Sequence, residues 1–223
     1  AQYTLALILA LFGSGLGWIS ALFGGITSDF WVAEAYPFLS MYTNPHFPLG
    51  LGLLLIYFDR LISGERGKNT PLIMLLGLIV AVIQPFVLVI GAVVSTIYIL
   101  WEGYENRQLK LLPAIYFIAG GGVFLLYQYW VILTDPVLSI WNAQNITSAP
   151  PLWDVLVSFS PALIGSVLEI GYLIKFKQLG KYKLFVIWLI TGIVLLYFPF
   201  NLQRRFLLGY FVPCAFLAAA AVF

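Results

Sequence analysis

The chain has 223 residues, of which 62% are hydrophobic and 9% charged, and its mean hydropathy is +0.99. An average soluble domain is about 45–50% apolar and about 25% charged, so a water-soluble globule and a disordered chain are both excluded. The single cysteine, Cys214, excludes a scaffold held by internal disulfides, and a net charge of +2 gives no reason to expect nucleic acid as a partner. The composition predicts an all-α, polytopic transmembrane helical bundle in contact with membrane lipid.

Apolar stretches long enough to cross a bilayer, about 20 residues each, predict about six to eight membrane segments. In chain order these segments are Tyr3 to Phe23, Pro45 to Ile62, Pro71 to Trp101, Leu112 to Leu133, Val155 to Ile174, Leu184 to Phe200 and Phe206 to Phe223. We expect one transmembrane domain over residues 1–223. We also expect a fragment of a longer protein that lacks its N-terminal part; the alternative is a mature chain left by processing.

The stretch Pro71–Trp101 is too long for one straight crossing, because about 31 helical residues span about 46 Å. Gln84 and Pro85 interrupt it and leave two short arms. This interruption predicts a short-helix or re-entrant hairpin broken at Pro85, a form tolerated where protein or a watery cavity covers the loosened backbone. The alternative is one tilted helix kinked at Pro85.

The basic residues indicate the orientation and favour the hairpin. Lysines crowd the loop 175–183, which the positive-inside rule assigns to the cytoplasm. Counting spans back places the loop Glu102–Lys110 inside as well. The polar turn Ser63–Thr70, with Arg66 and Lys68, also belongs inside, and both loops can lie there only if the segment between them enters and leaves on one side.

Two arginines, Arg204 and Arg205, fall outside in this topology, against the positive-inside preference. Their guanidinium groups suit phosphate oxygens, and we expect helix N-termini near Gln203 and at Pro45 to supply further N–H donors. The alternatives are two arginines that reach ordinary lipid headgroups, or an ion pair with an outer carboxylate.

Polar residues near these helix starts complete the expected anion site. Asn44 is expected to cap the helix that begins at Pro45, and His46 lies in its first turn, where it could bind phosphate or move a proton. The candidate substrate-binding and phosphate-binding residues are His46, Asn44, Gln203, Arg204, Arg205 and Asp154.

Asp29 and Glu34 lie in an outer loop rich in aromatic residues and are the candidate catalytic residues. Aromatic faces pack on sugar C–H surfaces, and a carboxylate can bind hydroxyls, hold a divalent cation or act as a general base. The alternative is an interfacial aromatic belt with ordinary solvated acids. No histidine or cysteine cluster indicates a metal site, so metal binding would rest on carboxylates alone.

Other motifs are absent from the sequence or have a structural explanation. There is no nucleotide-phosphate loop, no nucleophile elbow and no zinc-protease motif. No ionisable residue lies in the middle of a predicted span, apart from Glu169 close to the inner end of its span, and this counts against an ion-coupled carrier. The triplet Gly120–Gly122 indicates close packing of helices.

Several segments resemble large bacterial polytopic proteins grouped with the GT-C type of membrane glycosyltransferase. The resemblance is carried by Ser28–Ala35, Thr43–Leu49, Gln84–Phe86, Ala149–Asp154 and Phe200–Phe206. It implies a polyprenyl-phosphate-linked sugar donor and a reaction at the outer face of the membrane. GT-C enzymes generally carry their key acidic residue in the first outer loop, which in a fragment of this kind would precede Ala1.

The sequence thus leads to one expected function and two alternatives. We expect a membrane glycosyltransferase that moves a sugar from a polyprenyl-phosphate donor to an acceptor in a bacterial inner membrane, with a divalent cation as the possible cofactor. The alternatives are a lipid or solute transporter or flippase, with the Pro85 hairpin lining a cavity, and a structural subunit without catalysis. The sequence identifies no protein partner.

Overall fold

The computed structural model describes residues 1–63 and 70–223, and these form helices and connecting turns without a strand. The α-helices are α1 Gln2–Phe12, α2 Gly17–Leu22, α3 Pro37–Thr43, α4 His46–Ser63, α5 Thr70–Ile83, α6 Pro85–Asn106, α7 Leu112–Thr134, α8 Pro136–Gln144, α9 Leu152–Phe159, α10 Ala162–Lys175, α11 Lys183–Leu196 and α12 Phe211–Ala220. Short 3-10 turns cover Ser28–Phe30, Leu179–Tyr182 and Gln203–Leu207. Glu65, Arg66 and Lys68 of the predicted polar turn lie outside the described residues.

Five stretches of the described chain are helical, long and apolar enough to cross a membrane, and a bent pair of helices adds a sixth. They are Gln2–Leu22, His46–Ser63, Pro85–Asn106, Leu112–Thr134 and Leu179–Leu196, with α9 and α10 as the bent pair. The expected all-α polytopic bundle is confirmed, and the chain is a multi-pass membrane protein.

The contacts divide the chain into two compact units. Unit 1 comprises Ala1–Pro48, Ala149–Phe198 and Leu207–Phe223, and unit 2 comprises Leu49–Ser148 and Pro199–Phe206. Whether both units belong to one transmembrane domain, as we expect from the sequence, stays a prediction.

Unit 2 contains the predicted break. Helix α5 ends at Ile83, and α6 begins at Pro85, whose missing N–H costs nothing in the first turn of a helix. Thr70 at the start of α5 and Asn106 at the end of α6 line the same cavity. A continuous helix would hold these two residues about 54 Å apart, so the chain turns back at Gln84. The arms are unequal, with 14 residues in α5 and 22 in α6.

Helix α7 packs against both arms of this hairpin through the predicted glycine triplet. A Cβ atom on Gly120 would lie 2.0 Å from the Met74 carbonyl oxygen of α5. One on Gly121 would lie 2.5 Å from the Gly77 carbonyl oxygen and 2.6 Å from the Leu88 side chain of α6. The close packing expected of the triplet is therefore confirmed at two of its three positions, since Gly122 faces open space.

Unit 1 is built around α12, which α1, α10 and α11 contact. Most of α12 is buried, and its small residues let neighbours approach closely: a Cβ atom on Gly165 of α10 would lie 3.0 Å from the Cβ of Ala218. The hydroxyl of Ser166 donates to the Cys214 carbonyl oxygen at 2.8 Å, so a polar contact also joins α10 to α12. Small-residue packing with interhelical hydrogen bonds is the usual way in which membrane helices associate.

An aromatic cluster closes the core of unit 1 next to the start of α12. The rings of Tyr36 and Phe159 stack with centroids 5.3 Å apart, and the ring of Phe211 lies 5.1 Å from that of Tyr36. Tyr210 packs edge-on against Phe159 and donates its hydroxyl to the Leu189 carbonyl oxygen at 3.1 Å. The loop before α3 therefore packs against α9 and α12, and Tyr210 links the aromatic cluster to α11.

Two predicted spans differ from the observed helices. The span expected over Val155–Ile174 is two helices, α9 and α10, that meet at 86°. The break falls at Ser160, because proline at 161 disfavours helical backbone in the residue before it. The span expected over Phe206–Phe223 contains only the ten residues of α12, preceded by the 3-10 turn Gln203–Leu207.

Two expected helix starts also differ. Helix α4 begins at His46 rather than at Pro45, a shift of one residue that lies within the usual uncertainty of helix ends. Asn44 follows α3, and its side-chain amide donates to the Thr43 hydroxyl at 3.1 Å. The α-helix expected near Gln203 starts at Phe211, so Gln203 lies in a 3-10 turn and does not provide a helix N-terminus for an anion.

Candidate functional site

Asp29 lies in the short 3-10 turn Ser28–Phe30 of unit 1, where two donors hold its carboxylate. The backbone N–H of Gly17, at the start of α2, donates to Asp29 Oδ2 at 2.9 Å, and the Thr27 hydroxyl donates to Oδ1 at 2.7 Å. Position 17 needs glycine, because a Cβ atom there would lie 2.0 Å from Asp29 Oδ1. The residue stays half-buried, so its carboxylate is fixed without being sealed from the surroundings.

Asp154 lies beside this turn, in the first turn of α9, and is 5% exposed. Its Oδ1 accepts from the Ser28 backbone N–H at 2.8 Å and from the Ser158 hydroxyl at 2.6 Å. Its Oδ2 accepts from the Ser28 hydroxyl at 2.8 Å. Three protein donors therefore bind this carboxylate, as a buried charge requires.

Ser158 links the two carboxylates. Its hydroxyl donates to Asp154 and accepts from the Asp29 backbone N–H at 3.3 Å, and it lies 3.5 Å from Asp29 Oδ1. Asp29, Asp154, Ser28 and Ser158 thus form one hydrogen-bonded group, which we call the acidic cluster. The cluster positions the Asp29 carboxylate through contacts from the Ser28–Phe30 turn and from α9.

Two tyrosines flank the acidic cluster. The Tyr36 hydroxyl donates to the Ser158 carbonyl oxygen, and burial raises the Tyr36 pKa well above its usual range, with the charges of Asp29 and Asp154 adding to the shift. The Tyr197 hydroxyl donates to the Pro150 carbonyl oxygen at 3.0 Å, and burial followed by the charge of Asp154 raises the Tyr197 pKa. Both phenols stay neutral at physiological pH and act as donors.

Glu34, the second candidate catalytic residue, is also in unit 1 but is only 4% exposed. Its backbone carbonyl oxygen accepts from the Gly209 N–H at 2.9 Å, and the next carbonyl oxygen, of Ala35, accepts from the Phe211 N–H at 3.2 Å. The segment around Glu34 is thus tied to the start of α12. A carboxylate that is this buried is poorly placed to take a proton from an acceptor outside the protein.

The structure places Asn44 and His46 at the junction of α3 and α4. Asn44 is half-buried, and its carbonyl oxygen accepts from the Phe47 N–H at 2.9 Å. His46 is exposed, with its ring edge-on to Phe47 at a centroid distance of 4.5 Å. The hydrogen bonds of the acidic cluster described above involve neither residue.

Gln203, Arg204 and Arg205 belong to unit 2, in the 3-10 turn Gln203–Leu207. The backbone N–H of Arg204 donates to the Thr147 carbonyl oxygen at 3.1 Å, and the Thr147 N–H donates to the Asn201 carbonyl oxygen at 2.8 Å. All three predicted residues are half-buried.

The turn with these arginines lies next to the apex of the α5–α6 hairpin. The ring of Phe206 packs edge-on against Phe86 with centroids 5.8 Å apart and lies 6.1 Å from the ring of Phe200. Phe86 follows Pro85 directly, so the arginine pair is anchored beside the break in the long apolar stretch.

The structure therefore joins two of the predicted site residues, Asp29 and Asp154, in unit 1. Sequence reasoning missed Gly17, Ser28 and Ser158, which make their hydrogen bonds. One signal was present: Ser158 follows Asp154 by four residues, which places both on one face of a helix. The pairing of Asp154 with Ser28 joins residues that are 126 positions apart, so no local sequence pattern predicts it.

The acidic cluster does not suit a divalent cation. No group of three or more histidine, cysteine or carboxylate side chains that could hold a metal ion occurs in residues 1–63 and 70–223. In addition, N–H and hydroxyl donors already occupy the oxygens of Asp154. A cation would have to displace these donors, so the expected divalent cation finds no fitting ligand set here.

Comparisons with protein-family models, with curated proteins and with solved structures find no match to this chain.

Proposed function

We propose that this chain is part of a membrane glycosyltransferase that moves a sugar from a polyprenyl-phosphate donor to an acceptor hydroxyl, with Asp29 as the general base. The observation that carries the proposal is the half-buried Asp29 carboxylate, which Gly17 and Thr27 hold in a fixed orientation. Phe30 and Trp31 follow it and are each 49% exposed. A positioned carboxylate beside exposed aromatic faces suits a sugar substrate.

The ends of unit 1 support an extracytoplasmic position for Asp29. Helix α1 begins beside the lysine-rich loop, where Gln2 donates to the Tyr182 hydroxyl at 2.5 Å. The chain after α1 reaches α9, where the Leu16 N–H donates to the Val157 carbonyl oxygen at 3.1 Å, next to the acidic cluster. The lysine-rich loop and the acidic cluster thus lie at opposite ends of unit 1. By the positive-inside rule the lysine-rich loop is expected in the cytoplasm, which supports an outer position for the cluster.

In the proposed reaction the acceptor oxygen attacks the anomeric carbon of the donor sugar. The bond between that carbon and the phosphate oxygen breaks, polyprenyl phosphate leaves with the electron pair, and Asp29 takes the proton of the acceptor hydroxyl. Asp154 and Ser158 keep Asp29 in position and do not touch the substrate. General-base catalysis of this kind contributes about 10²–10⁴ in rate.

The experiment compares Asp29→Asn with Asp135→Asn in membrane vesicles that contain polyprenyl-phosphate hexose labelled in the sugar. Asp135 is a matched control, because it is a half-buried helix N-cap carboxylate that asparagine replaces at little cost. We expect Asp29→Asn to lower release of label from the donor by at least about 100-fold, and Asp135→Asn to leave it unchanged. Equal activity of the two variants contradicts the proposal.

Arg204 and Arg205 of unit 2 are proposed to bind a lipid phosphate, because guanidinium groups match phosphate oxygens in charge and shape. Replacing each with glutamine should raise the concentration of polyprenyl phosphate needed for half-maximal binding. The matched control is Arg107→Gln, an exposed arginine at the end of α6. If Arg107→Gln has as large an effect as Arg204→Gln, the proposed phosphate contact is wrong. The proposal for Asp29 is tested separately by Asp29→Asn.

A lipid or solute transporter is the second candidate, and the α5–α6 hairpin favours it. Gln84 at the apex is 5% exposed, and its side-chain Nε2 has no acceptor among the described residues. Transporters commonly bind substrates at interrupted helices. In sealed proteoliposomes with a fluorescent phospholipid, a transporter should move lipid between leaflets and lose this activity in Gln84→Leu. A transferase should show the same slow exchange in both proteins.

A further inference from the structure

A cavity of about 610 Å³ lies at the open end of the α5–α6 hairpin in unit 2. Its walls come from the ends of α4 and α6 and from the starts of α5 and α7, where Arg60, Asn106, Thr70 and Leu112 line it. The volume falls within the roughly 300–1,000 Å³ of typical small-molecule sites. The cavity is therefore large enough for a lipid head and the first part of an acyl chain.

One part of the cavity lining is apolar. Leu61, Ile73 and Ile99 are buried residues of α4, α5 and α6 that line it, and Leu111 and Leu112 extend this wall to α7. The wall is continuous with helices that are long and apolar enough to cross a membrane. An aliphatic chain that enters the cavity would leave water and contact side chains of its own polarity.

The rest of the lining is polar and carries a positive excess. Among residues 1–63 and 70–223, two basic side chains, Arg60 and Lys110, line the cavity together with one acidic side chain, Glu102. Asn106 and Gln108 add neutral hydrogen-bonding groups. Because the cations outnumber the carboxylate, the lining favours an anion, and a guanidinium group matches phosphate geometry.

The cavity also lies where the helices end. Helices α6 and α7 are of transmembrane length, and the cavity collects the last residues of one and the first residues of the other. Ends of membrane-spanning helices lie at the level of the lipid headgroups. The cavity is thus a site at the membrane surface with an apolar wall and a basic rim.

We propose that this cavity binds an anionic phospholipid, with its phosphate toward Arg60 and Lys110 and one acyl chain along the apolar wall. The bound lipid would fill the space that the four helix ends leave between them and so hold the two arms of the hairpin together. The site differs from the acidic cluster, which belongs to unit 1, and it does not depend on the proposed transferase activity.

Native mass spectrometry of the purified full chain tests this site. The protein is incubated with phosphatidylglycerol or with phosphatidylcholine of the same acyl chains, and bound lipid is counted. We expect more phosphatidylglycerol than phosphatidylcholine to stay bound. Lys110→Gln should lower retained phosphatidylglycerol about fivefold, the factor expected for one basic residue at an anionic lipid surface.

The matched control is Arg107→Gln, which removes the same charge from the same connection but does not line the cavity. We expect it to retain phosphatidylglycerol within about twofold of the unmodified protein, since its charge lies outside the site. Arg60→Gln is a second test of the rim, with the unfolding temperature measured in parallel to show that the variant folds.

Three outcomes overturn the proposal. The first is equal retention of the two lipids, and the second is an equal loss in Lys110→Gln and Arg107→Gln. The third is full displacement of phosphatidylglycerol by millimolar inorganic phosphate, which would identify a site for free phosphate in place of a lipid. Retention of phosphatidylglycerol that resists inorganic phosphate and depends on Lys110 supports it.

Discussion

Ser28 binds both oxygens of the Asp154 carboxylate. Its backbone N–H donates to Oδ1 and its hydroxyl donates to Oδ2, each at 2.8 Å, across 126 residues of chain. Asp154 therefore acts as a fixed template for the turn that carries Asp29. The geometry of Asp29 depends on a buried residue, so the acidic cluster can be tested through stability as well as through activity.

Asp154→Asn should destabilise the protein by about 2–3 kcal/mol, because hydrogen bonds to a buried charge are stronger than those to a neutral group. The NH2 group of asparagine would also face one of the N–H or O–H groups that now donate a hydrogen bond to the carboxylate. Chemical unfolding in mixed detergent micelles measures the difference. Asp135→Asn is the control and should change stability by less than about 0.5 kcal/mol, because asparagine caps a helix as well as aspartate. Equal changes in the free energy of unfolding for the two variants would show that the hydrogen bonds of Asp154 add no stability.

Stability should fall at alkaline pH, in part through Tyr36. Burial raises the Tyr36 pKa in the folded protein, so the phenol keeps its proton while the unfolded chain loses it above pH 10. The unfolded state then binds fewer protons, and stability falls with pH by up to about 1.4 kcal/mol per unit for this group. Unfolding measured between about pH 9 and pH 11 should show a shallower decline in Tyr36→Phe. An unchanged slope would mean that Tyr36 ionises freely in the fold.

Gly120→Ala and Gly122→Ala form a matched pair in α7. A Cβ atom on Gly120 would lie 2.0 Å from the Met74 carbonyl oxygen, whereas one on Gly122 meets nothing within 4 Å. The first substitution must push α5 away and should cost about 1–3 kcal/mol, and the second should be neutral or slightly stabilising. Thermal unfolding in detergent compares them. A more stable Gly120→Ala protein would contradict the packing of α5 on α7.

Cysteine labelling tests the hairpin in the membrane. Single cysteines at Ser63, Asn106 and Ser139 all occupy exposed positions, and the native Cys214 is buried. A membrane-impermeant thiol reagent should label positions 63 and 106 from the same side and position 139 from the other, because α7 separates the last two. Labelling of 63 and 106 from opposite sides would require a single kinked helix.

The long helices could be predicted from sequence because apolar runs and proline positions are local signals. Helix α7 begins at the predicted Leu112, and the break at Gln84 follows from a glutamine–proline pair combined with charge placement. The bend at Ser160 carried a similar local signal in Pro161, but the surrounding apolar run suggested a single span. The short helix α2 contacts the turn Ser28–Phe30 and α3 contacts α1, and hydropathy does not report such contacts.

The acidic cluster could be predicted only in part, because contacts between separate segments of the chain have no local sequence signal. Asp29 and Asp154 were candidates by residue type and expected side of the membrane. Their connection runs through Ser28 and Ser158 and requires the loop before α3 to meet α9. No local pattern encodes that meeting. The burial of Glu34 is likewise set by its backbone bonds to Gly209 and by α12.

The place of α12 at the centre of unit 1 has a consequence for biogenesis. Ala6 and Ala10 of α1 are buried, and α12 is the helix against which α1 packs most extensively. On the ribosome α1 emerges long before α12, so its inner face meets lipid or an insertase until almost all of the described chain has been made. Unit 2 consists mainly of consecutive helices and can assemble early, whereas unit 1 is completed only after α12 has been made.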